Sequence, residues 1–323
     1  MNTHAIRIHE YGGPEVLKWE EIDLPEPAAG EARIRHTAIG LNLIDTYHRT
    51  GLYPLDLPVG LGSEAAGIVE AVGDGVTDVA VGDRIVYTGM PIGSYAEHRN
   101  FDASRLVQIP DGISDEVAAA MLLKGLTAWY LLRRSYRVQV GDPILLYAAA
   151  GGVGSIASQW ANQIGATVIG VVSTDEKAEL ARSQGCAHIV MADDDIATRV
   201  KELTDGHGVA AVYDSVGKGT FMASLDSLRP HGTMVSFGNA SGPVEPFSPL
   251  ELAKRGSLYV TRPILFAFIE TREKLLSACD ELFEAMDSGV EVRIGQTYAL
   301  KNAAQAHLDI EARLTTGSTV LLP

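Results

Sequence analysis

Ile144-Leu-Leu-Tyr-Ala-Ala-Ala-Gly-Gly-Val-Gly154 is the stretch whose reading decides the fold. It opens as an apolar run of strand type, passes through Gly151, Gly152 and Gly154, and leads into Ser155 to Ile164, where Ile156, Trp160, Ala161 and Ile164 recur at helical spacing. The order is strand, glycine turn, helix. Such a turn brings backbone N–H groups up to a diphosphate, and the helix N-terminus adds partial positive charge there. Glycine is required because a Cβ would hold the ligand off. A glycine triplet alone also fits a tight turn in an unrelated α/β protein. The second strand close behind, Thr167-Val-Ile-Gly-Val-Val172, tips the reading toward dinucleotide binding.

Beyond this unit the pattern repeats: Ile189 to Met191, a helix over Ile196 to Leu203, Ala210 to Asp214, a helix over Phe221 to Leu228, Met234 to Phe237 and Leu258 to Thr261. Six strands counted from Ile144, with helices between most of them, predict a doubly wound parallel sheet whose ligand lies at the carboxyl ends of the strands. Before it the texture differs. Glu31 to Ile39, Gly67 to Val72, Arg84 to Tyr87 and Leu106 to Ile109 are short β-like runs between glycine and proline turns, which predicts a compact β-barrel-like domain. Inside it Leu43 to Arg49 reads as a short helix entered from Gly40 and Asn42, and Ser114-Asp-Glu starts another helix. From Pro263 onward one amphipathic helix (Thr271 to Ser288) and short strands remain, too little for a domain. The expected division is 1–123 with 264–323 for the first domain and 124–263 for the nucleotide domain.

A chain of 323 residues is long enough for about two such domains. With 26 basic against 41 acidic residues, a net charge of -15 and no Lys/Arg run, nucleic acid and anionic membrane surfaces are poor partners. The N-terminus has no apolar signal-peptide core, and the best apolar run, Ala118 to Leu132, is broken by Lys124, so a cytoplasmic protein without a membrane span is expected. Cys186 and Cys279 cannot form a disulfide framework and fit simple packing. The nine histidines are scattered, with no metal-ligand spacing.

Several short motifs, taken in order, resemble one family: Gly12-Gly-Pro-Glu-Val-Leu17, Asn42-Leu-Ile-Asp-Thr-Tyr47, Gly62-Ser-Glu-Ala-Ala-Gly67, Lys124-Gly-Leu-Thr127, the loop Ala148 to Gly154, Tyr213-Asp-Ser-Val-Gly217 and Ser236-Phe-Gly-Asn239. The chain resembles the zinc-free quinone oxidoreductases of the medium-chain dehydrogenase/reductase superfamily over nearly its whole length. That resemblance implies a GroES-like barrel domain with catalytic residues, a six-stranded Rossmann domain, and a C-terminal return to the first. Zinc-dependent relatives carry Gly-His-Glu where this chain has Gly62-Ser63-Glu64. Without a Lewis acid an alcohol is a hard substrate, whereas an electron-poor acceptor needs less help.

NAD-specific folds hold the ribose 2′-hydroxyl with an acidic residue at the tip of the second strand. Here that strand ends in Val172-Ser173-Thr174. Ser173 with Glu176 fits a capping box that merely starts a helix. On the functional reading Ser173, Thr174 and Lys177 approach a 2′-phosphate, which makes NADPH the expected cofactor. Carried over by position, the resemblance implies cofactor contacts at Asn42, Leu43, Ile44, Asp45, Thr46, Tyr47, Thr127, Tyr130, Gly151, Gly152, Val153, Gly154, Ser173, Thr174, Lys177, Ser215, Phe237, Gly238, Asn239, Ala240, Val260, Thr261, Arg262 and Arg313. For each the alternative is a turn or a satisfied buried polar group.

The expected reaction is hydride transfer from NADPH to a quinone in the cleft between the domains, by positioning rather than by an acid, a base or a nucleophile. Tyr47 and Tyr53 are candidates to hydrogen-bond the acceptor oxygen, with Asn42 orienting. Reduction of an α,β-unsaturated ketone or aldehyde uses the same geometry, and a non-catalytic NADPH-binding or RNA-associated protein is the rival from another class. The resemblance also implies a homodimer through the edge strand near Ser257 to Leu265, with Leu258, Val260, Ile264 and Leu265 across the two-fold axis.

Overall fold

A computed structural model describes all 323 residues, Met1–Pro323. The chain forms two compact units, one of Met1–Leu123, Thr271–Leu276 and Val292–Pro323, the other of Lys124–Glu270 and Ser277–Glu291.

In the first unit β1 (Asn2–Ile8), β2 (Lys18–Asp23) and the long β3 (Glu31–Leu41) lead into helix α1 (Leu43–Thr50). The chain continues as β4 (Val59–Gly60), β5 (Glu64–Val72), β6 (Arg84–Thr88), β7 (His98–Asp102) and β8 (Val107–Gln108). β3 is the hub of the larger sheet: β5 pairs along it antiparallel, Ile39 opposite Ala65, and β7 pairs at its other end, Arg35 opposite His98. The register of β3 against β5 slips twice, and such bulges increase local twist and curve a sheet around its core. Ile34, Ile39, Leu61, Ile85 and Phe101 fill that core and are buried.

Helix α2 (Asp115–Tyr130) begins at Ser114, whose Oγ accepts from the Val117 N–H at 3.3 Å. The second unit starts within this helix. Its strands and helices alternate: β9 (Pro143–Tyr147), α3 (Gly152–Ile164), β10 (Thr167–Val172), α4 (Asp175–Ser183), β11 (Cys186–Met191), α5 (Ile196–Leu203), β12 (Val209–Asp214), α6 (Phe221–Asp226), β13 (Leu228–Ser236), α7 (Leu250–Lys254) and β14 (Tyr259–Thr261). All pairs are parallel, in the order β11-β10-β9-β12-β13-β14. The chain winds outward from β9 to β11, then crosses back to β12. The glycine turn after β9 therefore stands at the point where the winding reverses, where open α/β sheets bind their ligands.

Helix α8 (Leu265–Phe268) closes this stretch, and α9 (Arg272–Asp287), β15 (Ile294–Ala299), α10 (Ala303–Glu311) and β16 (Ser318–Leu322) end the chain. β16 pairs antiparallel with β3, Leu321 opposite Ile39, and completes the first unit's sheet. The return expected from residue 264 is interrupted, because residues up to Glu270 and Ser277–Glu291 belong to the second unit. Leu282 of α9 fills the space over Gly125, where a Cβ would come within 2.7 Å of its methyl carbons, and Gln159 of α3 bonds both the N–H and the carbonyl of Glu291. The edge near β14 also differs from expectation. Leu258 and Leu265 are buried within their own unit, while Tyr259 and Ile264 are the large apolar side chains exposed there.

Candidate functional site

The glycine turn is built so that only hydrogen fits. Ala148 takes a left-handed φ of 52°, the Gly151 N–H returns to its carbonyl at 2.8 Å, and α3 begins one residue later. A Cβ on Gly154 would lie 2.2 Å from the Ala148 oxygen and 2.8 Å from the Ala149 Cα. No side chain caps α3 and its first turn has no acidic residue, so the field at its N-terminus is left for an anionic ligand. This cradle fits the diphosphate of a dinucleotide.

At the next strand end Asp214 is buried, and its carboxylate accepts from the N–H groups of Val216 and Gly217 and from the hydroxyls of Thr220 and Ser224, at 2.7, 3.0, 2.7 and 2.8 Å. These bonds hold the turn that carries Ser215. The Phe237 N–H meets the Asp214 carbonyl at 2.8 Å, the Ala240 N–H meets that of Ser215 at 3.2 Å, and a Cβ on Gly238 would lie 2.3 Å from the Ser215 oxygen. Ser215, Phe237, Gly238, Asn239 and Ala240 are thus brought into one interlocked edge. The sequence reading did not single out Asp214. An Asp followed by free N–H groups two and three residues on, ending at Gly217, is a turn-forming pattern that could have signalled it.

The end of β10 corrects one expectation. The helix cap is Thr174, not Ser173: β10 ends at Val172, α4 begins at Asp175, and the Thr174 Oγ accepts from the Lys177 N–H at 3.2 Å. Glu176 then falls in the first turn beside Asp175 and does not close a box on Ser173. Ser173 is exposed at the strand tip, one residue before the cap. Val260 and Thr261 lie in β14, opposite Met234 and Val235, and Val260 packs on the sheet's core, with Arg262 just beyond. Thr127 and Tyr130 are buried on α2, and the Tyr130 ring stacks on Phe268 at 5.1 Å with the planes 1° apart, so that face is already covered.

In the first unit the expected residues gather around α1. Asn42 precedes the helix, buried; its Nδ2 donates to the Glu64 carboxylate at 2.9 Å, and its backbone N–H donates to Asp45 at 2.9 Å. Glu64 is itself buried and also accepts from the Leu123 N–H at 2.6 Å. Gly40 makes room for it, since a Cβ there would lie 2.5 Å from a Glu64 oxygen. Ser63, standing where zinc-dependent relatives have histidine, donates to Asp45 at 2.9 Å. No three His, Cys, Asp or Glu side chains converge as a metal-ligand group. Tyr47 and Tyr53 meet edge to face with centroids 5.5 Å apart, and burial lowers the pKa of neighbouring His48 to about 4, so its imidazole is neutral. Arg313 lies just past α10 and is exposed.

A glycine-cradled helix N-terminus at the winding reversal of a six-stranded parallel sheet, with a second, barrel-like unit, defines the class: the medium-chain dehydrogenases and reductases. Residues 28–111 match the alcohol dehydrogenase GroES-like domain and residues 152–281 the zinc-binding dehydrogenase domain. The chain is 52% identical to a quinone oxidoreductase of Pseudomonas aeruginosa, covering 98% of this chain and 99% of that protein. It is 45% identical to a 2-haloacrylate reductase of a Burkholderia species, covering 99% and 98%. The structure of an Escherichia coli quinone oxidoreductase complexed with NADPH superposes with a TM-score of 0.97 at 47% identity, covering 99% of this chain and 100% of that one. The chain belongs to the quinone oxidoreductase family of this superfamily.

Proposed function

We propose that the protein is an NADPH-dependent reductase that transfers hydride to a quinone. The observation that carries this reading is the uncapped, glycine-built N-terminus of α3 in a chain 47% identical to a quinone oxidoreductase complexed with NADPH. Gly151, Gly152, Val153 and Gly154 hold the diphosphate, the edge of Ser215 with Phe237 to Ala240 takes the nicotinamide end, and Ser173 with Lys177 takes the 2′-phosphate. Arg313 adds a cation to the cofactor. Bound NADPH supplies a hydride; with one proton from solvent the quinone becomes hydroquinone. On the first unit, Tyr47 and Tyr53 donate hydrogen bonds to the acceptor oxygen and Asn42 orients it. That role is to position rather than to exchange protons.

Parallel assays with a benzoquinone and an enone test the acceptor class. Faster NADPH oxidation with the quinone is expected; turnover with the enone alone overturns the reading in favour of activated-alkene reduction, the activity that the 45% identical 2-haloacrylate reductase brings forward. Tyr47→Phe and Tyr53→Phe should each lower kcat/KM for the quinone by about tenfold; unchanged kinetics in both remove them from the mechanism. A non-catalytic RNA-associated role is opposed by the net charge of -15. We further place two copies together through the edge of β14, where Tyr259 and Ile264 are exposed and the strand pairs on one side only, and place the protein in the cytoplasm, where its free cysteines stay reduced. A monomeric sedimentation profile would overturn the pairing. No helix is long and apolar enough to cross a membrane.

A further inference from the structure

The buried polar groups around α1 extend into a chain of hydrogen bonds that the proposed reaction leaves without a role. Arg49, on the last turn of α1, is buried; it gives its two Nη atoms to the Glu311 carboxylate at 3.0 and 2.7 Å and its Nε to the Gly12 carbonyl at 3.1 Å. Its Nη1 also lies 3.1 Å from Nδ1 of His307. A guanidinium only donates, so Nδ1 must accept and the imidazole proton sits on Nε2. Nε2 in turn lies 3.2 Å from the Tyr95 hydroxyl, whose own proton goes to the Asp45 carboxylate at 3.0 Å. Asp45 is the third residue of α1 and accepts from the Asn42 backbone N–H and the Ser63 hydroxyl, each at 2.9 Å. Every bond in the series has one direction. Burial, helped by the Arg49 charge, lowers the His307 pKa to about 3, which keeps the imidazole neutral and the series fixed.

Helix α1 has eight residues, too few to hold its shape by helical hydrogen bonds alone. Both of its ends are tied to one face of α10: Arg49 to Glu311 directly, and Asp45 to His307 through Tyr95. His307 and Glu311 are four residues apart and therefore share that face. We propose that Tyr95 and His307 are positioning residues for the reduction, acting through Asp45 to fix Asn42 and the first turn of α1, which carries Tyr47. The proposal rests on the reaction proposed above for Asn42 and Tyr47. It gives the C-terminal return a task in the site beyond completing a sheet.

The test uses the full chain with Tyr95→Phe, His307→Leu and His307→Gln. Gln offers an N–H to Tyr95 and an oxygen to Arg49, so it restores both bonds that Leu removes. Hydrogen exchange of the backbone amides of residues 42–47 in the ligand-free protein should quicken about tenfold in Tyr95→Phe and His307→Leu. In the same two variants kcat for a benzoquinone should fall about fivefold, while the quinone KM and the NADPH Kd from nicotinamide fluorescence change less than about twofold. His307→Gln should stay within about twofold of the parent in both exchange and kcat. Equal losses in His307→Gln and His307→Leu overturn the proposal, as does unchanged exchange or an effect confined to KM and Kd. Should His307→Leu fail to fold, Tyr95→Phe and His307→Gln decide alone. If no quinone supports NADPH oxidation by the parent, the proposed reaction fails, and the exchange of residues 42–47 still decides whether Tyr95 and His307 position α1.

Discussion

Gly154 concentrates the chemistry of the second unit in one missing methyl. Its hydrogen faces the Ala148 carbonyl across a gap that a Cβ would cut to 2.2 Å, and a backbone oxygen cannot swing aside as a side chain can. Gly154→Ala must therefore push α3 away from the end of β9 and spoil the angle at which its N–H groups meet a diphosphate. The expected outcome is a loss of NADPH affinity of at least about tenfold, or about 1.4 kcal/mol, in a fluorescence titration. Unchanged affinity would mean that the phosphates bind elsewhere. The glycine pattern was legible in the sequence because the ligand's demand falls on backbone atoms. Asp214 was not, because its four donors come together only once β12, its following turn and α6 are built.

At the scale of an element, we assign the choice of nicotinamide cofactor to α4. It starts after Thr174 with Asp175 and Glu176 in its first turn, so the field of its N-terminus is partly spent on its own carboxylates. On the proposed reading, attraction for a 2′-phosphate then rests on Lys177, third in the helix, and on the exposed Ser173. Lys177→Ala should weaken NADPH by about tenfold and leave NADH within about twofold, because only the former carries the phosphate. Equal loss for both cofactors, measured by titration, would remove Lys177 from discrimination. The start of a helix here was readable from the capping pattern of Ser173 and Glu176, yet its cap residue was not. Thr174 caps rather than Ser173 because α4 begins at Asp175, a boundary set by the backbone path out of β10 rather than by residue type. Helix α1 was likewise visible over Leu43 to Arg49, while the face of α10 that clamps it was not.

Across the whole molecule the first unit stores three neutral histidines. Burial lowers His36 and His307 to about 3 and His48 to about 4, each from an ordinary value near 6.5. The unfolded chain binds protons on all three as pH falls below about 6.5, and the folded unit does not until near 4 and below. Folded-state values depressed in this way give stability that is complete above about pH 6.5 and is lost as pH falls from there toward 4. Each histidine adds at most about 1.4 kcal/mol per pH unit to the slope. Denaturant unfolding at steps between pH 7.5 and 4.5 should show a steep fall, and His307→Gln should make it shallower by about one proton. A flat profile over that interval would mean that these imidazoles are charged or solvated in the folded unit.

Local chemistry determined the alternation of strands and helices, the glycine turn and the short helix after Asn42, because each follows from neighbours along the chain. Tertiary structure alone decided that α9 is shared between the units, that Leu258 and Leu265 turn inward, and that Arg49 and Tyr95 meet His307 and Glu311 across more than two hundred residues of sequence. Buried polar groups find their partners by proximity in space, and one chain of residue types carries no record of which distant side chain will satisfy which.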